Sequence, residues 1–221
     1  MDNDGGMEVR QNTMLAASDG TNVRRPMLKM GVPLVSDIWS YLALQGRMFN
    51  LQETVTGTPL TAAVADATSN VLTIPSMRFT VPTGLTVFPY RFNVAWQARA
   101  GTITEGMIVV SETDTYTSGG VALVPLNWRT DNIRATSVSK IFTGSGGGIV
   151  EAAMVRPRSL YKFVHTHAIA ATDVNNIEKL WPVLWPIVGP ASVLVYLGSV
   201  TTAATYLFSM DWAELPTVNA V

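Results

Sequence analysis

Tyr206, Phe208, Met210 and Trp212 alternate with Thr205, Leu207, Ser209 and Asp211, a period of two along the chain. Only a strand with one face in a core puts every second residue on the same side. Tyr90, Phe92, Val94, Trp96 and Ala98 repeat the pattern against Arg91, Asn93, Ala95, Gln97 and Arg99, and residues 160–169 form a third such run. Residues 193–197 are apolar on both faces, as a central strand requires. Residues 107–111 and 121–124 read as a hairpin around Thr117-Ser-Gly-Gly120. Turn signals separate the runs: Pro82-Thr-Gly84, Phe88-Pro89, Gly144-Ser-Gly-Gly-Gly148, Arg156-Pro-Arg158 and Val188-Gly-Pro190.

These runs amount to about eight strands with no long helix between them, which favours an all-β, antiparallel architecture, closed or double-sheet, over anything with βαβ units. A stretch from Ser36 to Gly46 fits a short helix, capped by Ser36 or Asp37 and ended by Gly46; it reads almost as well as an apolar strand. Residues 1–30 lack either period and are rich in Gly, Asn, Asp and Met, which predicts an extended N-terminal arm ahead of one domain over residues 31–221. The arm's charges cancel, Arg10, Arg24, Arg25 and Lys29 standing against Asp2, Asp4, Glu8 and Asp19.

Composition then decides what surrounds such a sandwich. Charged residues make up 14% of the 221, against about 25% in an average soluble domain, and the net charge is −1. Mean hydropathy is +0.24. So few charges leave wide neutral surface, which marks contact with other protein, and little repulsion opposes association. A spanning helix is a poor fit, because the longest apolar stretch, residues 183–200, is broken by Pro186, Pro190, Gly189 and Gly198. The first residues show no basic-then-apolar leader, so no signal peptide is expected. With no cysteine there is no disulfide, thiolate nucleophile or Cys-based metal site.

Few residues point to chemistry. His165 and His167 share a strand face and could reach one ion. A third histidine is lacking, and the cupin pattern fails at Ser159 and at Ala171 or Thr172, so two polar strand residues are expected instead. Gly144-Ser-Gly-Gly-Gly148 has Ile149 where a nucleotide fingerprint needs glycine, and reads as a hairpin tip. Asp211 and Glu214, with Asp173 and Glu178, could form a glycosidase pair, but solvated strand-end carboxylates are expected. Arg156, Arg158 and Lys162 are the densest basic group and the candidates for facing nucleic acid, although solvated positions around a turn are the readier account of them. No enzyme and no cofactor is expected.

Trp181-Pro-Val-Leu-Trp185-Pro-Ile-Val-Gly-Pro190 is the most informative segment. Its prolines exclude helix and central strand, leaving an apolar loop with two tryptophans. Trp181, Pro182, Trp185 and Pro186 are therefore the candidate subunit-interface residues. The same loop could instead tuck under its own sheets, or offer an aromatic platform to a sugar.

This loop, the following Ala191-Ser-Val-Leu-Val-Tyr-Leu-Gly198, the final run from Ala204 to Pro216, and the early segment from Ile74 to Val94 together resemble the single jelly-roll capsid proteins of small icosahedral viruses, over residues 47–216. That resemblance implies a jelly-roll β-sandwich of eight strands in two sheets. It also implies an arm inside a shell, and a virion protein whose partners are copies of itself and other virion proteins. Many such proteins carry a basic arm that neutralises genome phosphate; the balanced arm here departs from that, which leaves a major subunit of a virus that packages its genome by other means or a vertex or minor shell protein, with weak genome contact at most. Two other readings share the sandwich form: a trimeric ligand-binding protein of the tumour-necrosis-factor or C1q type, and a carbohydrate-binding module.

Overall fold

The computed structural model describes residues 38–52, 60–61, 63–64, 75–98, 103–130, 136–144, 148–166, 176–199 and 205–219. The expected arm, His167 and Asp173 lie outside them.

A short helix, α1 (Ile38–Leu44), opens the described chain and leads into β1 (Met48–Gln52). Gly46 ends the helix in the left-handed region at φ 66°, where its amide donates to the Ala43 carbonyl at 2.9 Å. Two short pieces, β2 (Leu60–Thr61) and β3 (Ala63–Val64), precede β4 (Met77–Val81), the long β5 (Leu85–Ala98) and β6 (Ile103–Ser111). Five short strands follow: β7 (Tyr116–Ser118), β8 (Val121–Leu123), β9 (Leu126–Asn127), β10 (Lys140–Thr143) and β11 (Val150–Glu151). The chain continues through β12 (Arg158–Thr166), β13 (Asn176–Leu180), β14 (Ile187–Val188), β15 (Ala191–Ser199) and β16 (Thr205–Pro216).

Two large sheets result among the described residues, as the alternating runs predict, and β7 and β11 pair as a separate two-stranded sheet. One runs β13-β5-β16-β1-β9, with β14 on β5 and β2 on β16; the other runs β12-β6-β15-β4-β10-β8, with β3 on β15. The pairings are antiparallel except for the short β3–β15 contact. The eight longer strands pair in a nested order. β1 lies on β16, β4 on β15, β5 on β13 and β6 on β12, so the first meets the last and the fourth meets the fifth.

The core fills the space between the sheets. Phe92, Val94, Trp96, Phe208, Met210 and Trp212 from the first sheet meet Phe79, Ile108, Val193, Val195 and Leu197 from the second. Burying each such side chain is worth about 1.5–3 kcal/mol. Trp212 is the keystone: it is fully buried, stacks on Phe49 at 6.0 Å and receives the edge of Phe79 at 5.0 Å from across the sandwich.

Two expectations need correcting. Tyr90 does not share the inner face with Phe92 and Val94. Trp212 pairs with Pro89 and Asp211 with Arg91, so Tyr90 is the extra residue of a bulge. Pro89 has no amide to give to the ladder, which locates the slip there. Tyr90 therefore sits on the outer face against Trp39 of α1, ring centroids 4.7 Å apart.

Nor do residues 107–111 and 121–124 form a hairpin. β6 is flanked by β12 and β15, and β8 pairs with β10. Gly119 and Gly120, at φ 82° and 78°, steer the chain away before it can turn back on β6. A Cβ on Gly119 would stand 2.1 Å from the Gly148 carbonyl oxygen, so no larger residue fits there.

Candidate subunit-contact surface

The loop after β13 is held at its base and open at its crest. Trp181 drops into the main core at 5% exposure, its amide donating to the Tyr90 carbonyl at 2.8 Å. Six residues later Ile187 is buried and pairs with Val87. Leu184 packs on the outer cluster with Trp39 and Phe88, and the Trp39 indole N–H reaches the Pro182 carbonyl at 3.4 Å. Gly189 closes the base. A Cβ there would come within 2.0 Å of the Pro82 carbonyl oxygen, and its amide donates to Leu85 at 2.9 Å.

Between these anchors the apolar residues face solvent: Pro182, Val183 at 75%, Trp185 at 46%, Pro186 and Val188. The interface candidates thus divide. Trp181 is a core residue, whereas Pro182, Trp185 and Pro186 stand on the crest. A pinned apolar crest costs little ordering entropy when something covers it.

Asp211 and Glu214 are not the solvated strand-end carboxylates the sequence led us to expect; both are buried. Asp211 accepts from Arg91 Nε at 2.6 Å, Asn50 Nδ2 at 2.5 Å and Trp128 Nε1 at 3.2 Å, tying β5, β1 and the end of β9 together. Glu214 accepts from Trp212 Nε1 at 2.9 Å, Ser137 Oγ at 2.6 Å and the Val138 amide at 2.8 Å. Hydrogen-bonded buried carboxylates of this kind fix strands and loops. Glu178 is exposed, with Arg91 at 3.9 Å.

A second buried ionic group lies on the outer face of the other sheet. Inward Met77 and Phe79 leave Arg78 pointing outward, yet it is only 1% exposed, because β7, β11 and the chain around them cover it. Its guanidinium donates to Asp114 at 2.5 Å and to Ser192 at 3.0 Å, and lies over the Tyr116 ring at 4.4 Å. Glu151 approaches Arg78 Nε to 2.8 Å, out of line for a hydrogen bond, so that contact is Coulombic; its other oxygen accepts from Thr115 at 2.7 Å. Burial pushes the Glu151 carboxyl above its ordinary value. Burial opposes ionisation of Asp114 too, but hydrogen bonds from Arg78 and the Tyr116 amide overcome it and hold that carboxyl low.

The remaining candidates stay apart. His165 lies on β12, and among the described residues no cluster of His, Asp and Glu could hold a metal. Arg156 and Arg158 both reach Glu112, the first at 3.3 Å, while Lys162 is exposed further along β12. Residues 145–147 of the glycine run lie outside the described residues. No helix is long and apolar enough to cross a membrane, among the described residues.

One surface escaped the sequence reading. Val121, Val124 at 81%, Leu126 at 63% and Trp128 at 40% form an exposed strip from β8 through β9. Its sequence signal is the absence of any charged residue between Asp114 and Arg129.

Comparison with protein-family models, curated proteins and solved structures returns no match.

Proposed function

We propose that this chain is a structural protein of a virion, a jelly-roll subunit that builds an icosahedral shell by associating with copies of itself. The nested pairing of the eight longer strands supports the jelly-roll reading, since that fold is a long hairpin wrapped into two sheets. The observation that carries the assembly reading is the crest at residues 182–188. Its Pro182, Val183, Trp185, Pro186 and Val188 are apolar and face water, while Trp181, Leu184 and Ile187 anchor it. Low charge over the whole chain points the same way. Many modest apolar contacts repeated under symmetry are enough to close a shell. Glu112 offsets one of the three positive charges of Arg156, Arg158 and Lys162, so this exposed group keeps enough charge for a weak contact with genome phosphate.

Val183→Lys combined with Trp185→Lys is expected to reduce the particle mass seen by light scattering, with an unchanged circular dichroism spectrum. Both side chains are on the crest, so neither change opens the core. Assembly of the double variant at wild-type mass would defeat the crest as a contact. Binding of the wild-type chain on a glycan panel, lost in Trp185→Ala, would favour a carbohydrate-binding module instead.

A further inference from the structure

β7 and β11 belong to neither large sheet. They pair with each other, Val150 opposite Ser118 and Glu151 opposite Tyr116. Backbone bonds extend the pairing: the Glu112 amide donates to the Val155 carbonyl at 3.0 Å, and the Ala152 amide to the Thr115 carbonyl at 2.8 Å. Residues 112–118 and 150–155 thus make one hydrogen-bonded strap over the outer face of the second sheet. Bends bound it on both sides, Gly119 and Gly120 at φ 82° and 78° and Arg156 at φ 45°.

Side chains hold the strap to the sheet beneath it. Arg78 of β4 meets Asp114 at 2.5 Å and Glu151 at 2.8 Å, and Ser192 Oγ of β15 accepts from the Thr115 amide at 3.1 Å. Tyr116 stacks on Phe142 of β10 at 4.9 Å. Met154 packs on Val109, Leu194 and Tyr196, a small cluster separate from the core between the sheets. Buried ions regain water when such a contact opens, so its net worth is small beside the apolar core that joins the two sheets.

We propose that residues 112–118 and 150–155 lift from the second sheet as a unit while the sandwich stays closed, with the Arg78 group as the latch. Segments that open locally have few apolar contacts to lose, and this one also keeps its own backbone bonds when it leaves. The charged and titratable groups facing the latch are Arg78 from β4, Tyr196 from β15, and Asp114, Tyr116 and Glu151 from the strap. Glu112 instead pairs with Arg156 and Arg158.

Burial raises Glu151, and burial with the nearby Glu151 charge raises Tyr196, so both favour the closed strap when protonated. Their contributions are lost as pH rises through the raised values. Asp114, whose burial is overcome by bonds from Arg78 and the Tyr116 amide, is held low and favours closure when ionised. Its contribution is lost only as pH falls through that lowered value. Opening is therefore rarest at mildly acid pH and grows toward neutral.

The chain has no cysteine, so a single one reports its own exposure. Val109→Cys puts a thiol under the strap, and Val193→Cys puts one between the sheets; both positions are buried. The full chain is labelled with a pyridyl disulfide, and each rate is divided by that of a short cysteine peptide at the same pH. Labelling is expected to be about ten-fold or more faster at position 109 than at position 193. Asp114→Asn is expected to raise the rate at 109 several-fold and leave 193 unchanged, and Ser192→Ala repeats the test should that variant not fold. Equal rates at the two positions would overturn the strap, since only whole-fold opening would then expose either. Acceleration at both positions alike, or at neither, would overturn the latch. So would a corrected rate at 109 that does not fall from neutral to mildly acid pH.

Discussion

Arg78→Met is expected to lower the stability of the fold by about 3–5 kcal/mol, the usual cost of removing one partner from a buried ionic group. The cation is 1% exposed and Glu151 is as deeply covered, so the variant leaves a desolvated carboxylate beside Thr115 with no counter-charge. Replacing the group as a whole should cost far less. Arg78→Met with Asp114→Asn and Glu151→Met removes the charges together, and such exchanges are often neutral. Urea unfolding of both variants at one protein concentration checks this. A triple variant no more stable than Arg78→Met would show that the loss comes from packing around the arginine stem.

With Arg78 in place, the pH dependence of this group follows from its two carboxyls, which act in opposite senses. Asp114 is held low in the fold, so its contribution is present above its unfolded pKa and lost as pH falls through the lowered folded value. Glu151 is raised in the fold, so its buried anion counts against folding at neutral pH, and that penalty lifts as pH falls through the raised value. Without Arg78 the Glu151 anion is less favoured still. The deficit of Arg78→Met is therefore expected to shrink on mild acidification, as Glu151 takes up a proton. A deficit that is flat from neutral to mildly acid pH would contradict this.

Trp212→Ala is expected to cost about 3–5 kcal/mol, as for other large aromatic truncations in a core. The side chain joins both sheets through Phe49 and Phe79, and its N–H satisfies buried Glu214. Trp212→Phe separates the two contributions. It keeps most of the packing and loses the hydrogen bond to a charged group, worth about 1.5–3 kcal/mol. Urea midpoints should order wild type, Trp212→Phe, Trp212→Ala. Equal loss in the two variants would place the whole effect in the Glu214 hydrogen bond.

The sequence discloses the sandwich because its best strands obey a simple period. Tyr206, Phe208, Met210 and Trp212 all face the core, and the two-sided apolar run at 193–197 is a central strand between β4 and β6. What it hides depends on distant neighbours. Tyr90 leaves the inner face because Pro89 forces a bulge against β16, and β8 ignores β6 because the flanks of β6 are taken by strands far along the chain. Asp211 and Glu214 look like solvated strand ends until Arg91, Asn50, Trp128 and Ser137 arrive from other elements. The proposed contact surface is half legible. Its prolines identify the apolar loop at 181–190, but nothing local tells Trp181, which goes into the core, from Trp185, which faces out. The strip at 121–128 lacks prolines in series or paired aromatics, and only its place at the ends of two sheets makes it a surface.

The mass of the purified full-length chain, by light scattering with negative-stain images of the same sample, tests the central claim most directly. Self-assembly through neutral surfaces predicts closed shells, or discrete pentamers or larger rings, with little dependence on salt because few charges are at stake. A chain that stays monomeric across salt and pH would contradict it.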